Sequence, residues 1–183
     1  MEKFRELGLD GDILKGVADL GFETPSPVQE KAIPVILGEE NDLVVLAQTG
    51  TGKTAAFGLP LLQKINPEWN SVQILVLSPT RELCMQIGSD LKNYAKYLPD
   101  IRVTCVYGGT DIRRQMKELQ KGVHVVVATP GRLVDLLNRK ALNIETVFAV
   151  VLDEADEMLN MGFQEDLDFI LSNTPKDKNT YLF

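Results

Sequence analysis

The sequence is poor in the residues that usually carry metal or disulfide chemistry: it has two cysteines and one histidine. Cys84 and Cys105 stand 21 positions apart with no paired-ligand spacing, which excludes a cysteine-built zinc centre and a disulfide scaffold. Both read as reduced, buried thiols, with a Cys84–Cys105 disulfide as the minor alternative. His124, at the head of HVVVAT, has no cysteine beside it to complete a zinc site and reads as a strand-end residue. A basic excess is also missing, since 19 Lys and Arg face 26 Asp and Glu for a net charge of −7. That balance argues against a nonspecific polyanion binder, so any nucleic-acid contact must be local. No apolar stretch approaches the roughly 20 residues that cross a bilayer, and MEKFRELGLD lacks the apolar centre of a secretion signal. The expected setting is therefore cytoplasmic, with no membrane partner. Repeats and low-complexity tracts are absent, and 183 residues suit one domain with a full hydrophobic core.

What is present is a rhythm of short apolar runs: DLVVLA (42–47), QILVLS (73–78), RVTCVY (102–107), HVVVAT (124–129) and FAVVLD (148–153). Unbroken Val/Ile/Leu runs suit strands covered on both faces. Between them lie helix-spaced apolar residues such as Leu83, Ile87, Leu91 and Tyr94, or Leu133, Leu136 and Leu137. Strand and helix alternating in this way predict an α/β fold, a parallel β-sheet with right-handed crossovers and helices on both faces. NTYLF (179–183) reads as a further strand in which the sequence stops, which suggests a piece of a longer protein.

After the first run comes AQTGTGKT (47–54). Gly50 and Gly52 in a strand-to-helix turn let backbone N–H groups converge on phosphate oxygens, and the helix N-terminus adds its dipole. Lys53 is suited to the β- and γ-phosphates and the Thr54 hydroxyl to Mg²⁺. Ala47 stands where the strict pattern has glycine, and the alternative is a glycine turn before an ordinary helix. At the other end VVLDEADEM (150–158) packs Asp153, Glu154, Asp156 and Glu157 behind an apolar run. Taken alone, these acids read as a helix first turn, which the macrodipole favours. A parallel sheet changes that balance, because every strand's carboxyl end opens on one edge and Asp153 can face Lys53 across 100 positions of sequence. A magnesium triphosphate needs a carboxylate for the metal and another group for the attacking water. Asp153 and Glu154 can supply both.

With GFETPSPVQ (21–29), PTREL (79–83), GG (108–109) and TPGR (129–132) added in order, the chain resembles the N-terminal RecA-like domain of a DEAD-box RNA helicase of superfamily 2. In that family the first position of the phosphate loop is commonly alanine. The resemblance implies a RecA-like P-loop NTPase domain over 1–183, with an adenine-reading segment in 1–30 and the P-loop core in 31–183. It implies that Phe22 stacks on adenine, that Thr24 adds backbone contacts and that Gln29 reads the base, which makes ATP the nucleotide. Gln29's amide can both donate and accept, as an adenine edge requires, although without the family Phe22 would read as core and Gln29 as a surface amide. Phe4, 17 positions before Gly21, is expected to pack beneath this segment and not to bind. The loop Gln48, Thr49, Gly50, Thr51, Gly52, Lys53 and Thr54 holds the phosphates, Thr54 and Asp153 hold Mg²⁺, and Lys53, Asp153 and Glu154 are the catalytic set.

The resemblance also places Pro79, Thr80, Arg81, Gly108, Gly109, Thr129, Pro130, Gly131 and Arg132 along the sugar-phosphate backbone of one RNA strand. Contacts of that kind carry no base sequence and need no basic surface. Asp156 is expected to couple to a Ser-Ala-Thr motif beyond the sequence, and a second RecA-like domain of the same parent would supply the remaining RNA and ATP contacts. The implied activity is RNA-stimulated ATP hydrolysis driving local duplex unwinding or RNA–protein remodelling by a monomer, with little turnover by these residues alone. An ATP-gated RNA clamp is the alternative. A nucleotide kinase or DNA translocase is disfavoured by PTREL, TPGR and the adenine segment. Lys92, Lys96, Arg113, Arg114 and Lys117 read as solvated helix faces, Glu157 as a first-turn acid, and Met158, Leu159, Met161 and Phe163 as core or interface.

Overall fold

The computed structural model describes residues 1–38 and 42–183. The apolar runs become β1 (Leu43–Val44), β2 (Ile74–Leu77), β3 (Val103–Val106), β4 (Val125–Ala128) and β5 (Ala149–Leu152), and NTYLF supplies β6 (Asn179–Leu182). These six strands pair in parallel in the order β1-β6-β5-β2-β4-β3. Strand alternation divides the core in two. Ile74, Val76, Val125, Val127, Ala149, Val151 and Tyr181 pack on one side against α2 (Gly11–Asp19), α3 (Pro27–Leu37), α4 (Lys53–Lys64) and α5 (Arg81–Tyr94). Leu75, Leu77, Val126, Ala128, Val150 and Leu152 pack on the other against α6 (Ile112–Gln120), α7 (Pro130–Asn138), α8 (Ala155–Asn160) and α9 (Gln164–Ser172). The predicted α/β architecture is therefore the observed one.

DLVVLA departs from its expected form. Only two of its residues join the ladder, Val44 is 66% exposed and Leu46 is 96% exposed. The reason is position: β1 is at one end of the strand order and pairs with β6 alone among the described residues. A continuous apolar run records that both faces tolerate burial, not that both are covered. The cysteine reading also needs adjustment. Both thiols are free and Cys84 is buried, but Cys105 on the outer strand β3 is only half-buried. His124 sits at the head of β4, as expected, fully enclosed with its Nδ1 accepting the Arg102 N–H at 3.0 Å.

A short N-terminal helix, α1 (Glu2–Glu6), buries Phe4 completely. Its ring stacks on Phe22 at 6.5 Å between centroids, and Phe22 in turn leans on Tyr94 of α5 at 6.4 Å. Pro27 then opens α3 at its first position, where its missing N–H is not needed. Lys92, Lys96, Arg113, Arg114 and Lys117 are all exposed, as predicted. Met158 is buried and Phe163 packs against the second core, while Leu159 and Met161 are about half exposed.

Candidate active site

Because the strands are parallel, the segments that follow them emerge on one edge of the sheet. The strand order sorts them. The phosphate loop follows β1 and the acidic segment follows β5, with β6 between, whereas PTREL, GG and TPGR follow β2, β3 and β4 at the opposite end. One half of the edge thus collects the predicted nucleotide residues and the other half the predicted RNA residues.

In the nucleotide half, residues 48–51 form an exposed turn closed by Thr51 Oγ1 donating to the Gln48 carbonyl at 2.7 Å, and Gly52 behind it is half-buried. Gly52 adopts φ +90°, and a Cβ there would lie 2.5 Å from the Gln29 amide nitrogen, so a left-handed backbone and a close approach both demand glycine. Lys53 and Thr54 begin α4 directly after it, half-buried, with Gly50 and Thr49 ahead of them in the turn. Gln29 is 5% exposed and already bonded twice. Its Oε1 accepts the Ser26 N–H at 3.0 Å and its Nε2 donates to the Gly52 carbonyl at 3.2 Å. One N–H and one lone pair remain on that amide. Phe22 is half-buried on Phe4 and Thr24 is exposed.

The acids divide by environment. Asp153 is 4% exposed, its N–H bonded to the Leu77 carbonyl at 2.9 Å. Its Oδ1 lies 3.6 Å from Lys53 Nζ, beyond hydrogen-bond length, and has no hydrogen-bond partner. Burial pushes the Asp153 carboxyl above the ordinary carboxylate range, Lys53 opposes that shift and the Glu154 charge adds to it. Glu154 caps α8 at φ 55°, ψ 51°, a left-handed conformation that costs a non-glycine residue roughly 1–2 kcal/mol. Strain of this kind concentrates where a side chain must be aimed. A cavity of about 410 Å³ is lined by Thr49, Lys53, Glu154, Asp156 and Phe183 among others. Asp156 and Glu157 are exposed in the first turn of α8.

In the other half, Thr80 caps α5, its Oγ1 accepting the Leu83 N–H at 3.2 Å, and Pro79 is buried behind it. Arg81 is exposed and lies over the Tyr107 ring at 5.1 Å, a cation–π contact. Gly108 and Gly109 are exposed, Gly109 at φ +78° with Arg81 beside it. Thr129 and Pro130 start α7, followed by exposed Gly131. Arg132 does not point a free fork at solvent. Its NH1 donates to Gln115 Oε1 at 2.8 Å and its NH2 to the Thr110 carbonyl at 3.0 Å. The three segments therefore meet, and Arg132 spends two donors tying two of them together.

Gln115, Tyr107 and Ser26 were not legible as site residues. Gln115 left one signal: with Ile112, Met116 and Leu119 it lies on the apolar stripe of α6, where a polar residue is out of place. Tyr107 left none, because an aromatic at a strand end reads as packing.

The sequence model of the DEAD/DEAH box helicase family matches residues 26–183. The chain is 51% identical over its whole length to the ATP-dependent RNA helicase CshA of Listeria monocytogenes, covering 35% of that protein. It is 49% identical to the Geobacillus kaustophilus DEAD-box ATP-dependent RNA helicase CshA, again over its whole length, covering 39%. Among solved structures, a DEAD box protein from the hyperthermophile Methanococcus jannaschii superposes with a TM-score of 0.93 at 42% identity, over 99% of this chain and 49% of that one. Saccharomyces cerevisiae Dbp5, in a variant bound to RNA and ADP BeF3, superposes with a TM-score of 0.90 at 35% identity, over all of this chain and 46% of that one. The chain thus spans between a third and two fifths of the length of these curated relatives. A fold, an ordered set of edge motifs and a family match over residues 26–183 agree: this chain belongs to the DEAD/DEAH box helicase family.

Proposed function

We propose that this chain is the ATP-binding half of an RNA-stimulated ATPase that separates short RNA duplexes or remodels RNA–protein complexes. The observation that carries the reading is the Lys53–Asp153 pair at 3.6 Å, with Asp153 Oδ1 buried and unbonded beside the phosphate loop. A buried charged oxygen with no hydrogen bond is costly unless something completes it. The residues fit Mg²⁺, which takes one or two protein oxygens together with substrate phosphates, and Thr54 with Asp153 would hold it. Held there, Mg²⁺ would offset the negative charge of the substrate phosphates.

The chain's own residues do the rest. Backbone N–H groups of 48–52 and the N-terminus of α4 hold the phosphates, and Lys53 exchanges Asp153 for them. Gln29 uses its remaining N–H and lone pair on adenine, Phe22 offers its ring to the base and Thr24 its backbone. Glu154, aimed into the cavity by its left-handed backbone, orients the attacking water and takes its proton. PTREL, GG and TPGR hold one RNA strand by its backbone. Asp156 reaches a partner motif in the rest of the protein, and a second RecA-like domain completes both sites. Arginine fingers raise phosphoryl-transfer rates by roughly 10³–10⁵, so residues 1–183 alone bind nucleotide with little turnover. The same residues would serve a clamp, with hydrolysis timing release.

The test is the ATP turnover of the full-length protein with no nucleic acid, with single-stranded RNA and with duplex DNA. Stimulation by RNA alone is expected; a DNA preference would overturn the substrate class, and equal affinity for GTP would overturn the adenine assignment.

A further inference from the structure

The loop that carries Gly108 and Gly109 has no secondary structure of its own, yet it must present its N–H groups in one arrangement if it is to follow a phosphate backbone. One side chain reaches both of its ends. Gln115 of α6 is 9% exposed. Its Nε2 donates to the Tyr107 carbonyl at 3.1 Å and to Thr110 Oγ1 at 2.8 Å, the two residues that flank the glycines. Its Oε1 accepts Arg132 NH1 at 2.8 Å, and Arg132 closes the circuit by donating NH2 to the Thr110 carbonyl at 3.0 Å. Both amide donors are used, and the acceptor faces a guanidinium, which makes that bond one of the stronger kind. Arg81 lies over the Tyr107 ring.

We propose that Gln115 is a positioning residue for RNA: it clamps both ends of the Gly108–Gly109 loop to the first turn of α7, so that the backbone donors of GG and TPGR address successive phosphates of one strand. Arg132 then acts mainly as the latch of this clamp and Arg81 as the exposed phosphate ligand. Gln115 itself touches no RNA. The inference rests on the RNA-binding reading above. It also explains why a polar residue interrupts the apolar stripe Ile112, Met116 and Leu119: an apolar side chain there would leave the Tyr107 carbonyl, the Thr110 hydroxyl and an arginine without their shared partner.

The decisive variant is Gln115→Met, which keeps side-chain length and packing but has no amide. In the full-length protein, affinity for a single-stranded RNA oligonucleotide, measured with a non-hydrolysable ATP analogue, should fall roughly 10-fold, since several polar groups lose a partner at once. ATP affinity without RNA, set at the other end of the sheet edge, should hold within about twofold. Arg132→Lys cannot fork to both Gln115 Oε1 and the Thr110 carbonyl, so it should reproduce the loss, and the double variant should be no worse than either single one. Should Gln115→Met not fold, the Arg132→Lys comparison decides alone: RNA affinity equal to the unmodified protein would overturn the clamp. A folded Gln115→Met protein with full RNA affinity, or strictly additive losses in the pair, would overturn it as well. Absence of RNA binding by the unmodified protein would instead overturn the proposed function.

Discussion

Replacing Asp153 with asparagine should make the ligand-free protein more stable while removing its response to magnesium nucleotide. The carboxyl is 4% exposed and its Oδ1 has no hydrogen bond. Burial raises its pKa above the ordinary value of 3.8, so the folded chain holds the proton more tightly than the unfolded chain does. The sign follows: stability from this group is present at low pH and is lost as pH rises from the unfolded value through the raised folded one. The penalty therefore grows as pH rises from the unfolded value toward neutrality. The competing effect is Lys53, which would lose its partner, and breaking a fully buried ion pair costs roughly 3–5 kcal/mol. Here the pair is 3.6 Å apart, beyond hydrogen-bond length, and Glu154 supplies a second negative charge at the same 410 Å³ cavity. The desolvation penalty should therefore win. Single stabilising changes give about 0.5–2 kcal/mol, and at about 2–4 °C per kcal/mol for a chain of this size the midpoint should rise about 1–8 °C. Thermal unfolding followed by circular dichroism at neutral pH tests this, and the gap should narrow toward pH 4. The unmodified protein should gain about 2.7 kcal/mol from magnesium ATP at 100 times its Kd, and the variant almost none. A midpoint lowered by the equivalent of 3 kcal/mol would mean that Lys53–Asp153 is a true buried pair, and the reasoning would be wrong.

Gly52→Ala should cost roughly 1–2 kcal/mol from the left-handed backbone, plus displacement of the Gln29 amide 2.5 Å from the new Cβ, seen as a lower midpoint and lost nucleotide binding. Gln29→Ala should weaken ATP but also lower stability by about 1–3 kcal/mol, because the Ser26 N–H and the Gly52 carbonyl both lose a partner; chemical denaturation would read this. Glu154→Gln should keep ATP and RNA binding while cutting turnover of the full-length protein roughly 10²–10⁴-fold, and unchanged turnover would exclude Glu154 as the base. Glu154→Gly should add roughly 1 kcal/mol of stability by relieving φ 55° and should also stop turnover.

The parts of this molecule that were legible in its sequence are those where a local rule and the global fold agree. QILVLS, HVVVAT and FAVVLD read as buried strands and are buried on both faces, because helices packed within the chain cover them. DLVVLA obeys the same local rule and yet lies exposed at the sheet's end, because cover is a property of neighbours and not of the run itself. Lys53 and Asp153 could be paired in advance, since a parallel sheet delivers both to one edge whatever their separation. Arg132 could be placed but not assigned. An arginine after a strand reads as a free phosphate fork until its two acceptors, Gln115 Oε1 and the Thr110 carbonyl, are seen. Nothing in the order of residues reveals that side-chain circuit.

The strand order also bears on how the two halves of the edge can communicate. β5 and β2 are neighbours in full register, with Leu152 opposite Leu77, and the Asp153 N–H extends that ladder to the Leu77 carbonyl at 2.9 Å. The strand that carries Asp153 is thus bonded directly to the strand that leads into PTREL. Such a ladder is stiff, and stiffness fixes distance without transmitting a choice between states, which requires an element with two arrangements. The acids that follow β5 differ in setting: Glu154 is held at positive φ and Asp156 is exposed in the first turn of α8. The sheet accordingly fixes the distance between the phosphate-loop half of the edge and the half that carries PTREL, GG and TPGR. Under the proposed function, an ATP-dependent change at the PTREL half would be carried by groups outside the strands, and exposed Asp156 is the one proposed here to carry it.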